Sequence, residues 1–151
     1  MFFMKARDIM AENLITVGPK TTIQELAKVL VENRISGVPV VGSDGKLLGI
    51  VSEGDLLHKE VVPRIPDALN ILGAIVYYHG LKQYNEDFRK MIAFSAEEIM
   101  TKKVIVVDED VDISEVGKLM IEHHIKRVPV LKAGNLVGMI SRTDMIRTLI
   151  E

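Results

Sequence analysis

Two serine–aspartate pairs have the residue types and spacing either to bind a polar ligand or to start a helix. They are Ser52 with Asp55 and Ser141 with Asp144, each pair three residues apart. The two oxygens of a carboxylate accept charge-assisted hydrogen bonds from the donors of a polar ligand. The same spacing is that of a capping box, in which serine and carboxylate satisfy free amides of a first helical turn. Both interpretations stay open for all four residues.

Basic residues near the second pair could hold a phosphate group. Lys126 and Arg127 precede Val128, and Arg142 follows Ser141, where it could reach a phosphate attracted to the amide end of a helix. The first pair has Glu53 where the second has Arg142. We therefore expect unequal sites, with the more highly charged ligand at the second pair. The alternative is a solvated basic surface.

The sequence lacks the residue sets that common enzyme mechanisms need. It contains no cysteine, which excludes a disulfide framework, a thiolate zinc site and a cysteine nucleophile. It has no Gly-rich phosphate loop, no plausible catalytic triad and no paired carboxylates besides the two equivalent aspartates. His123 and His124 would point about 100° apart on a helix, so we expect no metal site. We expect a protein that is not an enzyme and requires no cofactor.

An internal repeat must position these residues. Ala6-Arg7-Asp8-Ile9-Met10 returns 90 residues later as Ala96-Glu97-Glu98-Ile99-Met100. Val38-Pro39-Val40 returns as Val128-Pro129-Val130, and Gly49-Ile50-Val51-Ser52 returns as Gly138-Met139-Ile140-Ser141 after the loss of one residue. The two serine–aspartate pairs are therefore equivalent positions of two copies of one unit.

Each copy has the signals of a β-α-β-β-α unit. Buried strands are predicted at 14–17 and 104–107, and capping residues Thr22 and Asp112 precede helices with an apolar stripe. Two further strands follow around turns at Gly45 and Gly134, and a helix begins near each serine. We expect an α/β fold of two tandem repeats packed with pseudo-twofold symmetry, with ligand clefts between them.

The segment between the copies, residues 59–94, is expected to be a helical insert. Asp67 could cap a helix that continues to Tyr78 and ends at Gly80, and its residues are apolar on nearly all sides. Such a helix must be buried against its own module or a dimer partner, or serve as a site for an effector protein. A second helix is expected over 85–92.

The chain resembles a cystathionine-β-synthase (CBS) domain pair, also called a Bateman module. The resemblance rests on Ala-x-x-Ile-Met at each start, on the Val-Pro-Val strands and on Gly-x-x-Ser-x-x-Asp at each end. It implies CBS repeats at 5–58 and 95–150 and regulation without catalysis. It also implies an adenosine ligand: AMP, ADP or ATP, and less strongly S-adenosylmethionine or NAD. Members of this family commonly dimerise into a flat disc of four repeats.

The resemblance also implies roles for individual residues. Asp55 and Asp144 would accept hydrogen bonds from the ribose hydroxyls, assisted by Ser52 and Ser141. The phosphate would meet basic residues that precede the Val-Pro strands or follow the second serine: Arg34, His124, Lys126, Arg127 and Arg142. The adenine would lie against residues that could equally be ordinary core: Thr16, Val17, Val38, Pro39, Val106, Val107, Val128 and Pro129.

The expected partners follow from charge and hydropathy. A formal net charge of −2 gives no broad attraction to nucleic acid or to an anionic membrane. The start lacks the apolar core of a signal peptide, and the most apolar stretch, 68–78, is about half of the ~20 residues that span a bilayer. From these properties we expect a cytoplasmic protein, and the resemblance implies a homodimer that signals to a separate, unidentified effector protein. The alternative is a structural or protein-interaction pair without nucleotide.

Overall fold

The computed structural model describes residues 4–60, 67–71, 74–79 and 93–150. Helices and strands alternate along the chain, so the predicted α/β class is confirmed. The elements of the first half are α1 (Ala6–Ile9), α2 (Ile23–Asn33), β1 (Gly37–Val41), β2 (Leu47–Ser52), α3 (Glu53–Glu60), β3 (Asp67–Ile71) and β4 (Ala74–His79). Those of the second half are α4 (Ala96–Ile99), β5 (Val107–Asp108), α5 (Ile113–His123), β6 (Arg127–Lys132), β7 (Asn135–Ser141) and α6 (Arg142–Arg147).

The chain forms two compact units that do not coincide with the two sequence repeats. Unit 1 contains residues 1–16, 41–47 and 103–151, and unit 2 contains residues 17–40 and 48–102. The opening segment of each repeat, which carries the Ala-x-x-Ile-Met motif, therefore belongs to the unit that the body of the other repeat forms. The repeat predicted two similar units but did not predict this exchange.

In unit 1, the opening segment packs on the second repeat through its backbone. The Ala6 amide donates to the Val111 carbonyl at 2.8 Å, and Ala11 forms an antiparallel bridge with Met139. Ala6 is fully buried in a core with Val116, Val128 and other apolar residues: Val107, Met120, Val130 and Ile140. Gly138 leaves the space that the Met10 side chain occupies, so a side chain at position 138 would collide with it.

In unit 2, residues 95–102 take the equivalent place on the first repeat. The Ala96 amide donates to the Thr21 carbonyl at 2.8 Å, and Thr101 forms an antiparallel bridge with Ile50. The core contains residues of both segments: Leu26, Leu30, Val38, Val40, Val51, Ala93, Ala96, Ile99 and Met100. At the surface, Lys20 Nζ donates to Glu97 Oε1 at 2.5 Å, and this hydrogen bond and the Glu97 charge raise the pKa of Lys20.

The two long helices begin at the predicted residues but are capped differently. The Thr22 hydroxyl accepts from the Glu25 amide at 3.2 Å, which confirms the hydroxyl half of the predicted capping box. The prediction for Asp112 is wrong, because its side chain makes no cap hydrogen bond. The Glu115 amide donates to the Asp112 backbone carbonyl instead, at 3.0 Å, so the amide has a partner without the side chain.

The first predicted strand of each repeat is much shorter than its apolar run. In the first repeat only Val17 pairs, through a parallel bridge to Val40, and in the second the strand is limited to β5, which pairs in parallel with β6. Ile15 and Val106 are more than a third exposed, so these runs are not the fully buried strands that their composition suggested. The hairpins β1–β2 and β6–β7 form as predicted.

The insert differs from its prediction. Residues 67–71 and 74–79 are antiparallel strands β3 and β4, in which Ile71 pairs with Ala74, so the helix predicted over 67–78 is wrong. A continuous apolar run has no periodicity that separates a buried helix from buried strands. The β-branched residues Ile71, Ile75 and Val76 and the central Gly73 are typical of a hairpin. The helix expected over 85–92 lies outside the described residues.

Candidate functional site

The second serine–aspartate pair lies in unit 1, where β7 ends and α6 begins. The Ser141 amide and hydroxyl donate to Asp144 Oδ2 at 2.8 and 2.9 Å, and the Asp144 amide donates to Ser141 Oγ at 3.2 Å. This is the capping box that the spacing allowed. The other carboxylate oxygen, Oδ1, accepts from Arg147 Nη1 at 3.2 Å. Because the cap uses only Oδ2, the outer oxygen is held by a surface side chain alone.

The first pair lies in unit 2 and repeats the cap with a different outer partner. The Ser52 amide and hydroxyl donate to Asp55 Oδ2 at 2.9 and 3.2 Å. Asp55 Oδ1 accepts from the Thr101 hydroxyl at 3.2 Å, a contact between residues 46 positions apart. Asp55 is only 5% exposed, the only buried charged residue among those described. Asp144 is half-buried, so the two aspartates have unequal access to solvent.

Basic residues adjoin Ser141 along the backbone because β6 and β7 pair there. Arg127 is the strand partner of Ser141, and the Arg142 amide donates to the Lys126 carbonyl at 3.0 Å. Arg142 Nε also donates to the Ile125 carbonyl at 3.2 Å. His124 ends α5 in the left-handed conformation, with φ of 53°, and is exposed. The backbones of three predicted phosphate residues, Lys126, Arg127 and Arg142, thus lie next to Ser141.

The equivalent backbone contact exists in unit 2 with different side chains. The Glu53 amide donates to the Ser36 carbonyl at 2.9 Å, as Arg142 does to Lys126. Arg34 ends α2 with the same left-handed φ of 53° that His124 has. Arg34 and Glu53 line one open cavity of about 510 Å³ between α2 and α3. The counterparts of Lys126, Arg127 and Arg142 in unit 2 are therefore Ser36, Gly37 and Glu53, none of which is a cation. Arg34 is the counterpart of His124.

The predicted adenine residues differ in burial. Val38, Pro39, Val128 and Pro129 are buried, and the two valines belong to the cores of units 2 and 1. Thr16 and Val106 are exposed, and Val17, whose amide donates to the Pro39 carbonyl at 3.0 Å, is half-buried. The exposed residues of this set are therefore Thr16 and Val106, both in unit 1.

Sequence reasoning missed two residues of this arrangement. Arg147 lies three positions after Asp144, a spacing at which side chains on a helix meet, so this ion pair was open to prediction. Thr101 gave no such signal, because nothing local connects it to Asp55. In the part of the chain that the structure describes, no group of three or more acidic or histidine residues could hold a metal ion. No helix there is long and apolar enough to cross a membrane.

Comparisons with known proteins agree with the repeat and the fold. The family model for the CBS domain matches residues 6–61 and 96–151. An uncharacterized protein of Methanocaldococcus jannaschii is 34% identical over 97% of this chain and 92% of its own length. The chloroplastic CBS domain-containing protein CBSX1 of Arabidopsis thaliana is 30% identical over 93% of this chain, which spans only 61% of that relative.

Two solved structures share the fold over nearly the whole chain. The crystal structure of CBSX2 in complex with AMP has a TM-score of 0.75 and 24% identity, covering 97% of this chain and 96% of that one. The CBS domain pair of protein MJ0100, in complex with 5′-methylthioadenosine and S-adenosyl-L-methionine, has a TM-score of 0.71 and 25% identity, covering 98% and 97%. With both repeats matched by the family model, this chain belongs to the CBS domain family.

Proposed function

We propose that this protein is a non-catalytic regulatory module that binds an adenosine ligand, with Asp144 as the ribose-binding carboxylate. The observation that carries the proposal is the grouping of Asp144 and Ser141 with Lys126, Arg127 and Arg142 in unit 1. The adenosine compounds bound by two structures of the same fold support this ligand class. Two CBS repeats, 5–58 and 95–150, would carry this function.

The chemistry of the proposed site follows from its hydrogen bonds. Arg147 is 55% exposed at its side chain, and an exposed ion pair contributes only about 0–1 kcal/mol. A ribose diol could therefore displace Arg147 from Oδ1 at small cost, while the cap keeps the carboxylate oriented through Oδ2. Lys126, Arg127 and Arg142 would then attract the phosphate, and Thr16 and Val106 offer contact area for adenine. AMP, ADP or ATP fit this charge better than S-adenosylmethionine or NAD.

The test is ligand binding with a charge-neutral variant of Asp144. We expect AMP, ADP or ATP to raise the melting temperature of the wild type, because a ligand at about 100 times its Kd stabilises the folded state by about 2.7 kcal/mol. Asp144→Asn retains an oxygen that can accept the cap hydrogen bonds but loses the charge, so binding should weaken at least about tenfold. Asp112→Asn is the matched control, since Asp112 makes no side-chain cap hydrogen bond.

The outcomes separate the proposal from its alternative. If no adenosine compound in a panel of AMP, ADP, ATP, S-adenosylmethionine and NAD shifts the wild type, the proposal fails and a structural or protein-interaction pair is favoured. If the ligand binds but Asp144→Asn and Asp112→Asn behave alike, the assignment of Asp144 is wrong.

The basic group is tested by comparing AMP with adenosine. Lys126→Gln and Arg142→Gln should reduce the preference for AMP and leave adenosine affinity nearly unchanged, because they remove charge near the phosphate alone. Lys118→Gln, which removes an exposed lysine from α5, is the control. Equal losses for AMP and adenosine would contradict a phosphate role.

We also propose a homodimer, whose interface forms through one apolar groove on each unit. The groove of unit 2 lies between α2 and α3, and that of unit 1 lies between α5 and α6. In unit 2 Val31 and Leu57 are 76% and 66% exposed, and their repeat equivalents in unit 1, Ile121 and Ile146, are 77% and 63% exposed. Apolar patches of this kind are typical of protein interfaces. Sedimentation analysis should give twice the chain mass, and Leu57→Asp should reduce it to the monomer mass. A wild type of monomer mass at micromolar concentration would overturn this proposal.

Regulation would then act on a separate protein in the cytoplasm. A ligand that binds one of two dimer arrangements more tightly shifts the population toward it, and an effector protein can read that change. The expected observation is a difference between the free and AMP-bound dimer in small-angle scattering. Identical profiles with saturated sites would contradict a conformational signal.

A further inference from the structure

Thr101 and Ala11 hold equivalent positions in the two units. Each directly follows the methionine of an Ala-x-x-Ile-Met motif. Thr101 forms its antiparallel bridge with Ile50, and Ala11 forms the same bridge with Met139, which is the repeat equivalent of Ile50. Both bridges are closed by two backbone hydrogen bonds, of 2.9 and 3.0 Å in unit 2 and 2.9 and 3.1 Å in unit 1. The two positions therefore differ in side chain but not in backbone setting.

The difference in side chain coincides with a different hydrogen-bond donor to Oδ1 at each aspartate. Thr101 has a hydroxyl, and this hydroxyl donates to Asp55 Oδ1, while the Ser52 cap occupies Oδ2. Both carboxylate oxygens of Asp55 thus have donors from within unit 2, and the residue is buried. Ala11 has no hydroxyl to offer. Asp144 Oδ1 is held by the flexible, exposed Arg147 instead.

We propose that Thr101 is the specificity-determining residue that closes Asp55 to a ribose diol and leaves Asp144 as the one working carboxylate. This inference rests on the proposed function and adds the residue that makes the two sites unequal. A diol needs access to the outer oxygen, Oδ1, because the serine cap occupies Oδ2 at both aspartates. At Asp55 the Thr101 hydroxyl already supplies the donor at Oδ1, and two backbone hydrogen bonds fix the backbone from which this short side chain extends. At Asp144 the long Arg147 side chain can turn into solvent.

Exchanging the side chains at positions 101 and 11 tests this inference, with AMP as the titrant in isothermal titration calorimetry. We expect the wild type to bind one AMP per chain, with loss of binding in Asp144→Asn and no change in Asp55→Asn. Thr101→Ala should bind two AMP per chain, and adding Asp55→Asn should remove the second. Ala11→Thr should weaken the single site at least tenfold, because its hydroxyl would compete for Asp144 Oδ1.

Two conservative variants separate the hydroxyl from the bulk of the side chain. Thr101→Ser should keep the wild-type stoichiometry, since it keeps the donor. Thr101→Val should open the site only in part, because the side chain loses the donor but still covers the carboxylate. Ala11→Ser provides a smaller substitution if Ala11→Thr fails to fold, as judged by circular dichroism, and it should also weaken binding.

The results distinguish this inference from the proposed function. Absence of AMP binding in the wild type and in Thr101→Ala would reject the proposed function itself. Binding by the wild type that depends on Asp144, together with one site in Thr101→Ala and undiminished affinity in Ala11→Ser, would reject the role of Thr101 alone. Two sites in the wild type, one of them lost in Asp55→Asn, would also overturn it.

Discussion

Substitution of Gly49 by alanine tests how residues 95–102 pack on the first repeat in unit 2. A Cβ at position 49 would lie 2.7 Å from the Thr101 carbonyl oxygen and 2.8 Å from Met100 Sδ. Ordinary van der Waals contact begins near 3.4 Å, so the Thr101 backbone would have to move by about 0.7 Å. That carbonyl accepts from the Ile50 amide at 3.0 Å, and the movement would strain both hydrogen bonds of the bridge.

The expected loss of free energy of unfolding follows from these contacts. Overpacking a close-packed site costs about 1–3 kcal/mol, and each weakened hydrogen bond contributes up to about 1 kcal/mol. We therefore expect Gly49→Ala to lower the free energy of unfolding by about 2–4 kcal/mol. Gly138→Ala, the equivalent change in unit 1, should also destabilise, because its three nearest atoms belong to Met10 and one of them, Cβ at 2.9 Å, moves only with the backbone.

Urea unfolding followed by circular dichroism measures these differences. The matched control is Gly54→Ala in α3, where the nearest atom, Ser52 Oγ, is 3.6 Å away. Alanine is favoured over glycine inside a helix by about 1 kcal/mol, so the control should be neutral or stabilising. If Gly49→Ala unfolds at the same urea concentration as Gly54→Ala, residues 100–101 do not pack on β2 and the reasoning is refuted.

Other expected outcomes concern the caps, a turn and a surface ion pair, each measured by the same urea unfolding. Thr22→Ala should lower stability by about 1 kcal/mol, whereas Asp112→Ala should change it by a few tenths, because only the Thr22 side chain accepts a cap hydrogen bond; equal losses would contradict the cap assignment. Ala133 has a positive φ of 51°, so Ala133→Gly should raise stability by about 1 kcal/mol, and a loss would contradict that geometry. Arg7→Ala should cost under about 1 kcal/mol, because Arg7 and Asp110 are both about half exposed; a much larger loss would mean that the pair is buried.

Most of the fold was accessible from the sequence because its signals are local. The capping residue Thr22, the turn glycines and the stripes of the two long helices act within a few positions of themselves. The insert was mispredicted for a physical reason. A run that is apolar at nearly every position carries no period, so strands and a helix have the same pattern there.

The site residues also divide into those that a local pattern revealed and those that it did not. The serine–aspartate pairs and the basic residues at 126, 127 and 142 were visible as types and spacing. The burial of Val38 and Val128 was not, because the same residues could line a ligand or a core. Only the packed structure distinguished the exposed Thr16 and Val106 from them.

The sequence by itself determined that one unit is repeated, that each copy ends in a capped helix, and that only the second copy has its cations grouped. These properties depend on residue types and on spacings of a few positions. Tertiary structure decided which segment packs on which repeat, and therefore that Thr101 meets Asp55 while Ala11 takes the equivalent place in unit 1. Contacts between residues 46 positions apart form only when two distant segments share one core, and no local pattern encodes them.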